Sequence, residues 1–182
     1  VIRKPEEKDW SAVHAILSHS IQTSNANFSW QPPDFDVFVK EQKLIAKSYP
    51  YLVAEHEGKV IGFGYLHPWL AKDAYWMNLE LTIYFQPGPH YHMASEMLQA
   101  LEEEAKSQGY MRLVSCITAD NAQSIAYHQK HGFQFFGRLE DAGWKEGWQS
   151  VVWMYKNLAA FTKEKPEKAL QKTRPKETDG RL

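Results

Sequence analysis

The stretch WMNLELTIYF, Trp76 to Phe85, decides the class of this fold. Met77, Leu79, Leu81, Ile83 and Phe85 alternate with Trp76, Asn78, Glu80, Thr82 and Tyr84, so an extended strand here has one wholly apolar face and one carrying polar groups. Downstream, a loop over Gln86 to Tyr91 leads into a helix with Ala94, Met97, Leu98, Leu101 and Ala105 on one face, closed by Gly109. Met111 to Ile117 reads as a strand. Asp120 or Asn121 caps a helix ending near Gly132, and Phe133 to Arg138 and Gln149 to Tyr155 supply the last strands. Upstream, Tyr51 to Glu55 and Val60 to Leu66 form a hairpin around Glu57 and Gly58. Before it, Asp34 opens a helix with apolar positions Phe35, Phe38, Val39, Ile45 and Tyr49, stopped by Pro50, and Ser11 caps an earlier helix through Ser20. Helices and strands that interleave in this way specify a mixed α/β sheet rather than a bundle or a sandwich.

Composition narrows the function. At 182 residues and 43% hydrophobic, the chain has room for one domain with a substantial core. Residues 1–158 are read as that domain; 159–182, rich in Lys, Glu, Pro and Thr, are read as a polar, loosely ordered tail with room for a short helix around Glu167 to Gln171. A formal net charge of −1 lacks the basic footprint of a nucleic-acid binder. No apolar run approaches the roughly 20 residues needed to span a bilayer. The single cysteine, Cys116, has no internal disulfide partner, which points to a reducing cytoplasm. It sits in the apolar run MRLVSCI and reads as a small core residue rather than a nucleophile.

Glu80 is the most informative polar residue. Between Leu79 and Leu81 in a central strand, desolvation would raise its pKa toward the range of a general base; an ordinary salt-bridged or edge-facing Glu is the alternative reading.

Two further segments carry a resemblance. In DNAQSIAYHQKHGF, Asp120 to Phe133, the residues Asn121, Ser124, His128, Lys130, Gly132 and Phe133 resemble the motif N-x-x-A/S-x-x-x-Y/H-x-K-x-G-F of the GNAT acetyltransferases. In PWLAKDAYWMNLELTIYF, Pro68 to Phe85, the residues Pro68, Trp69, Ala74, Tyr75, Glu80, Thr82 and Tyr84 resemble the phosphinothricin and methionine sulfoximine acetyltransferase branch. With ANF at Ala26 to Phe28, YPYLVAEHEG at Tyr49 to Gly58 and AGWKEGW at Ala142 to Trp148, the similarity spans roughly residues 2–157.

The resemblance implies a GNAT fold: a central, mostly antiparallel twisted sheet of about seven strands flanked by about four helices. It also implies transfer of an acetyl group from acetyl-CoA to the primary amine of a small amino-acid-like acceptor, without a covalent enzyme intermediate, and a homodimer. Acetyl transfer needs a proton acceptor for the ammonium, polarisation of the thioester carbonyl and a proton for the departing thiolate. Carried over by position, Glu80 is the base and His128 the residue near amine and sulfur. Lys72, Asp73 and Tyr75 line the acceptor side, and the backbone of Ile83, Tyr84 and Phe85 pairs with the pantetheine arm; Phe28, with Trp30 in the stretch after the first helix, is read as covering the acceptor site, with core anchoring as the alternative. Asn121, Ser124 and Lys130 complete the cofactor side.

Two positions depart from the family pattern. Leu70 stands where herbicide-acetylating members usually carry a basic residue. The diphosphate loop, usually R/Q-x-x-G-x-G/A, here reads QPGPHYHMAS, Gln86 to Ser95, without paired glycines. Helix dipole and free amides still suit a diphosphate, with His90, Tyr91, His92, Met93, Ala94 and Ser95 as the binding segment. His90 and His92 have no third ligand nearby, so no metal is expected. The acidic run Glu102 to Glu104 reads as a solvated helix face. A degenerate GNAT that binds without turnover and a protein N-acetyltransferase are the competing functions; bulky Trp30, Trp69 and Tyr75 favour a closed small-molecule pocket over an open peptide groove.

Overall fold

The computed structural model describes residues 1–164 and 166, with the side chain of Tyr91 outside the described set. The helix expected around Glu167 to Gln171 lies outside the described residues. In chain order the elements are β1 (Ile2–Arg3), α1 (Trp10–Thr23), α2 (Phe35–Ser48), β2 (Tyr51–His56), β3 (Lys59–Pro68), β4 (Asn78–Phe85), α3 (Tyr91–Ser107), β5 (Arg112–Thr118), α4 (Ala122–Lys130), β6 (Gln134–Trp144) and β7 (Trp148–Asn157). Short 3-10 turns at Glu7–Asp9 and Asp73–Tyr75 precede α1 and β4.

The local signals act largely as read, with informative exceptions. Asp34 caps α2 by accepting from the Asp36 and Val37 amides, and Asn121 rather than Asp120 caps α4, accepting from Ser124 N. The β2–β3 turn uses left-handed φ at Glu57 and Gly58, as a two-residue hairpin requires. The first helix starts at Trp10 rather than after Ser11, because a 3-10 turn precedes it and the Asp9 carboxylate is held by Arg3 and by Glu6 N. β6 runs on past the expected Arg138 to Trp144 and β7 starts at Trp148, so the hairpin closes in a tight turn at residues 145–147. Glu102 is a correction: it is 7% exposed, not solvated, and its carboxylate accepts two hydrogen bonds from the Lys156 ammonium at 2.7 and 2.9 Å.

The strand order β1-β2-β3-β4-β5-β7-β6 makes one sheet, antiparallel except where β4 and β5 run parallel. Each strand sends alternate residues to opposite layers. Leu52, Ala54, Leu79 and Leu81 pack with Met97, Leu98 and Leu101 of α3. Tyr51, Val53 and Phe63 pack with Trp10, Val13 and Ile16 of α1 and Phe38 of α2. At roughly 25 cal/mol per Å² of apolar surface removed from water, these two layers dominate stability.

The parallel pair is short. Its register covers only Asn78 to Glu80 against Arg112 to Val114, whereas β4 continues along β3 to Phe85 and β5 continues along β7 to Thr118. The two strands therefore splay apart beyond Glu80, in the middle of the sheet.

Candidate active site

A cleft of about 920 Å³ opens at that split, lined by Glu80 to Phe85 on one side, Ser115 to Thr118 on the other, and Asn121, Ser124, Tyr127 and His128 of α4. Main-chain alternation dictates what it presents. Gln86 N donates to Ile61 O and Trp69 N to Asn78 O, so even-numbered β4 residues bond to β3. The N–H and C=O groups of Leu81, Ile83 and Phe85 then point away from β3, into the gap that β5 has left. Tyr84 contributes otherwise than expected: its main chain belongs to the β3 ladder, and its side chain reaches the cleft.

Glu80 faces the α1 side of this gap, with Thr82 and Tyr84 next along the same face. Its carboxylate has no hydrogen-bond partner among the described residues, and burial pushes its pKa up to about 7. Cys116 is a correction. Its position two residues beyond Val114, where the parallel pairing ends, exposes it on the cleft wall instead of burying it in the core. Desolvation within the cleft and then the nearby Glu80 charge push its thiol up to about 12, which disfavours a resting thiolate.

His128, on α4, lines the same cleft. Its Nδ1 is 2.7 Å from the Ser124 carbonyl, an acceptor only, so Nδ1 carries the hydrogen and Nε2 is left for a bound molecule. Burial lowers its pKa, favouring the neutral ring. Tyr127 donates to Ala94 O at 2.8 Å, and His131 Nε2 meets Ser95 Oγ at 3.0 Å, so α4 fixes the first turn of α3. His90 occupies the N-cap position of that turn without a side-chain capping bond, stacks on Phe85 with ring centroids 5.9 Å apart, and lines the cleft with Nε2 buried and without a partner. Ser115 Oγ, also on the wall, is likewise buried and unpartnered. An open strand edge, a helix N-terminus and two orphaned polar atoms suit a long ligand rich in amides and phosphate.

The loop after α1 covers the Glu80 face. Asn27 Nδ2 donates to Tyr84 Oη at 3.1 Å, Thr118 Oγ1 donates to Asn25 O at 2.7 Å, and Ala26, Asn27, Phe28 and Ser29 line the cleft.

A family model described as an acetyltransferase (GNAT) domain matches residues 2–150. This chain belongs to the GNAT acetyltransferase family. As a GNAT enzyme it is an acyl-CoA-dependent N-acetyltransferase. It is 34% identical over 155 residues to the phosphinothricin N-acetyltransferase of Streptomyces viridochromogenes, covering 82% of this chain and 83% of that one. It is 28% identical over 163 residues to the L-methionine sulfoximine/L-methionine sulfone acetyltransferase of Pseudomonas paraeruginosa, covering 86% and 94%. The phosphinothricin acetyltransferase of Sinorhizobium meliloti, solved in complex with acetyl-CoA, has a TM-score of 0.86 and 26% identity over 92% of each chain.

Of the residues expected in the GNAT site, Glu80, Ile83, Tyr84, Phe85, His90, Ala94, Asn121, Ser124, His128 and Phe28 converge on the cleft. His92, Met93, Ser95 and Lys130 do not line it. Met93 packs on the core, Ser95 holds His131, His92 and Lys130 are exposed, and Tyr91 opens α3. Lys72, Asp73 and Tyr75 sit on the exposed 3-10 turn before β4, away from the lining. The sequence reading missed Ser115, Thr118, Gln123 and Tyr127 as cleft residues. Gln123 and Tyr127 had a local signal, their place inside the α4 motif; Ser115 and Thr118 depend on where β5 leaves β4. Among the described residues no helix is long and apolar enough to cross a membrane, and no group of three His, Cys, Asp or Glu gathers.

Proposed function

We propose that this GNAT enzyme acetylates the primary amine of a small amino-acid-like acceptor of the phosphinothricin or methionine sulfoximine type, with acetyl-CoA as donor and Glu80 as general base. One observation carries the reading: an unpartnered carboxylate pushed up to about 7 stands at the mouth of an unpaired strand edge. Bound there, acetyl-CoA supplies an acetyl group activated as a thioester. Ile83 and Phe85 amides hold its pantetheine arm and polarise the acetyl carbonyl. The α3 N-terminus, with His90, would hold its diphosphate, and Asn121 and Ser124 would border the arm.

Glu80 takes a proton from the acceptor's ammonium, directly or through water, freeing the lone pair for attack. His128 begins neutral, so its Nε2 first accepts the proton released as the amide forms and then returns it at the sulfur. Transfer is direct from thioester to amine; the raised pKa of Cys116, which disfavours its thiolate, supports a route without a covalent enzyme intermediate. Phe28 and its loop roof the acceptor side, which suits a small molecule better than a peptide.

The enzyme acts in the cytoplasm as a homodimer. Support for the dimer comes from β6, which ends the sheet and exposes Phe135, Phe136 and Leu139, with Trp144 and Trp148 at its turn.

Thermal-shift titration with acetyl-CoA, followed by a thiol-release assay over amino acids and sulfoximines, tests the whole reading. A shift on acetyl-CoA and release with at least one of these acceptors is expected. No shift and no release would overturn it.

A further inference from the structure

Lys145 is a buried cation for which the chemistry above has no use. It is 9% exposed, and its ammonium has no carboxylate within ion-pair distance among the described residues. Instead Nζ donates to two main-chain carbonyls, Ile21 O and Asn27 O, each at 2.7 Å. Burying an ammonium against neutral acceptors is costly, and an apolar side chain of similar length fills such a place without that cost. What the cation does there is therefore the question.

Both carbonyls belong to one segment. Ile21 lies in the last turn of α1, where carbonyls have no partner inside the helix and the dipole favours positive charge. Asn27 lies six residues on, in the loop that roofs Glu80. A single ammonium thus closes the path from helix end to loop. Asn27 is also held by its own side chain, which donates to Tyr84 Oη and accepts from Ser29 N.

The same hairpin turn grips the segment at further points. Trp30 Nε1 donates to Trp144 O at 2.8 Å, Asn25 Nδ2 donates to Gln149 Oε1 at 2.9 Å, and Gln149 Nε2 donates back to Lys145 O at 3.1 Å. Phe28 lies so close over Gly143 that a Cβ there would stand 2.9 Å from its ring. Lys145 itself is held in the turn by its N–H to Gly147 O at 2.9 Å. The turn thereby clamps the segment from outside the cleft: residues 143–148 are not among the residues that line it, whereas Leu81 to Phe85 are.

We infer that Lys145 is a positioning residue for acceptor recognition: through Asn27 O and Ile21 O it sets the place of Asn27 and Phe28 over Glu80, without serving acetyl-CoA. This deepens the proposed function and rests on it for the identity of the acceptor side.

The test compares Lys145→Met and Lys145→Arg with wild type in three measurements: amide hydrogen exchange over residues 24–30, acetyl-CoA affinity by calorimetry, and steady-state kinetics with the best acceptor. K145M is expected to speed exchange over 24–30 about tenfold and to raise the acceptor KM about tenfold, as loss of a charge-assisted anchor implies. Acetyl-CoA affinity should stay within about twofold, and K145R, which keeps charge and donors, should lie between wild type and K145M. Exchange unchanged over 24–30, exchange raised equally throughout the chain, or acetyl-CoA affinity falling in step with acceptor KM each overturns the inference. If K145M does not fold, K145R decides by the same three criteria. Faster local exchange in a protein whose wild type turns over no acceptor would leave the anchor standing and refute the proposed function instead.

Discussion

Replacing Glu80 by Gln keeps the shape of the side chain and removes the base, so the pH dependence of turnover should change form as well as size. A carboxyl that titrates at about 7 is ionised in only about a tenth of molecules at pH ~6 and in about nine-tenths at pH ~8. Wild-type kcat/KM should therefore climb roughly tenfold across that interval, because this ratio reports the free enzyme's essential groups. A carboxyl at its ordinary value of 4.5 would already be ionised and would give no such rise. Thiol release at subsaturating acceptor, followed from pH ~5.5 to ~9, measures the profile for both proteins. E80Q should lose about a hundredfold or more in rate and should lose the limb near neutrality, whatever slope the acceptor amine adds. Acetyl-CoA should bind E80Q as it binds wild type. A wild-type profile flat from pH ~6 to ~8, or the same limb surviving in E80Q, would assign the proton transfer to another group.

Other perturbations reach other parts of the molecule. Because the folded-state pKa of Glu80 is raised, its ionisation opposes folding increasingly as pH rises from 4.5 to about 7 and fully above that. E80Q should therefore exceed wild type in stability at pH ~8, by up to about 3 kcal/mol, with the gain gone near pH ~4.5; thermal melts across pH check it. Lys156→Met leaves the Glu102 carboxylate buried without its partner and should cost about 3–5 kcal/mol in chemical denaturation. Asn121→Ala removes the α4 cap and should cost about 1 kcal/mol together with some acetyl-CoA affinity, read by denaturation and calorimetry. Ile83→Pro removes an amide that serves no bond to β3; acetyl-CoA binding should be lost while far-UV circular dichroism stays that of the folded sheet.

The fold was legible because its signals are local. The alternation through Trp76 to Phe85, the Asp34 and Asn121 caps and the Glu57–Gly58 turn each act within a few residues, and each operates in the structure. Glu80 and His128 were legible only through resemblance, since a carboxylate in a strand has a commonplace alternative; the raised pKa and missing partner make it distinctive. What local reading missed was set by distant pairing. Cys116 looked like core because its run is apolar, yet its exposure follows from β5 leaving β4 after three register pairs. Glu102 looked solvated among acidic neighbours, yet Lys156, 54 positions away, draws it inward. Lys145 lay inside the AGWKEGW segment, but nothing there showed what it holds, because its partners are carbonyls, and every residue has one.

The parting of β4 and β5 has a bearing on how such chains diverge. A contact made by a side chain disappears with one codon change, but an amide hydrogen survives every replacement except proline. If the host grips its cargo chiefly by peptide groups along Leu81 to Phe85, as proposed, the neighbouring loop is at liberty to wander in composition. The proline- and histidine-bearing turn at Gln86 to Ser95, so unlike its glycine-paired counterparts, is then the outcome to be expected of a lenient constraint. Distant members of this lineage are better sought by the place where two parallel strands separate than by the spelling of the turn that follows.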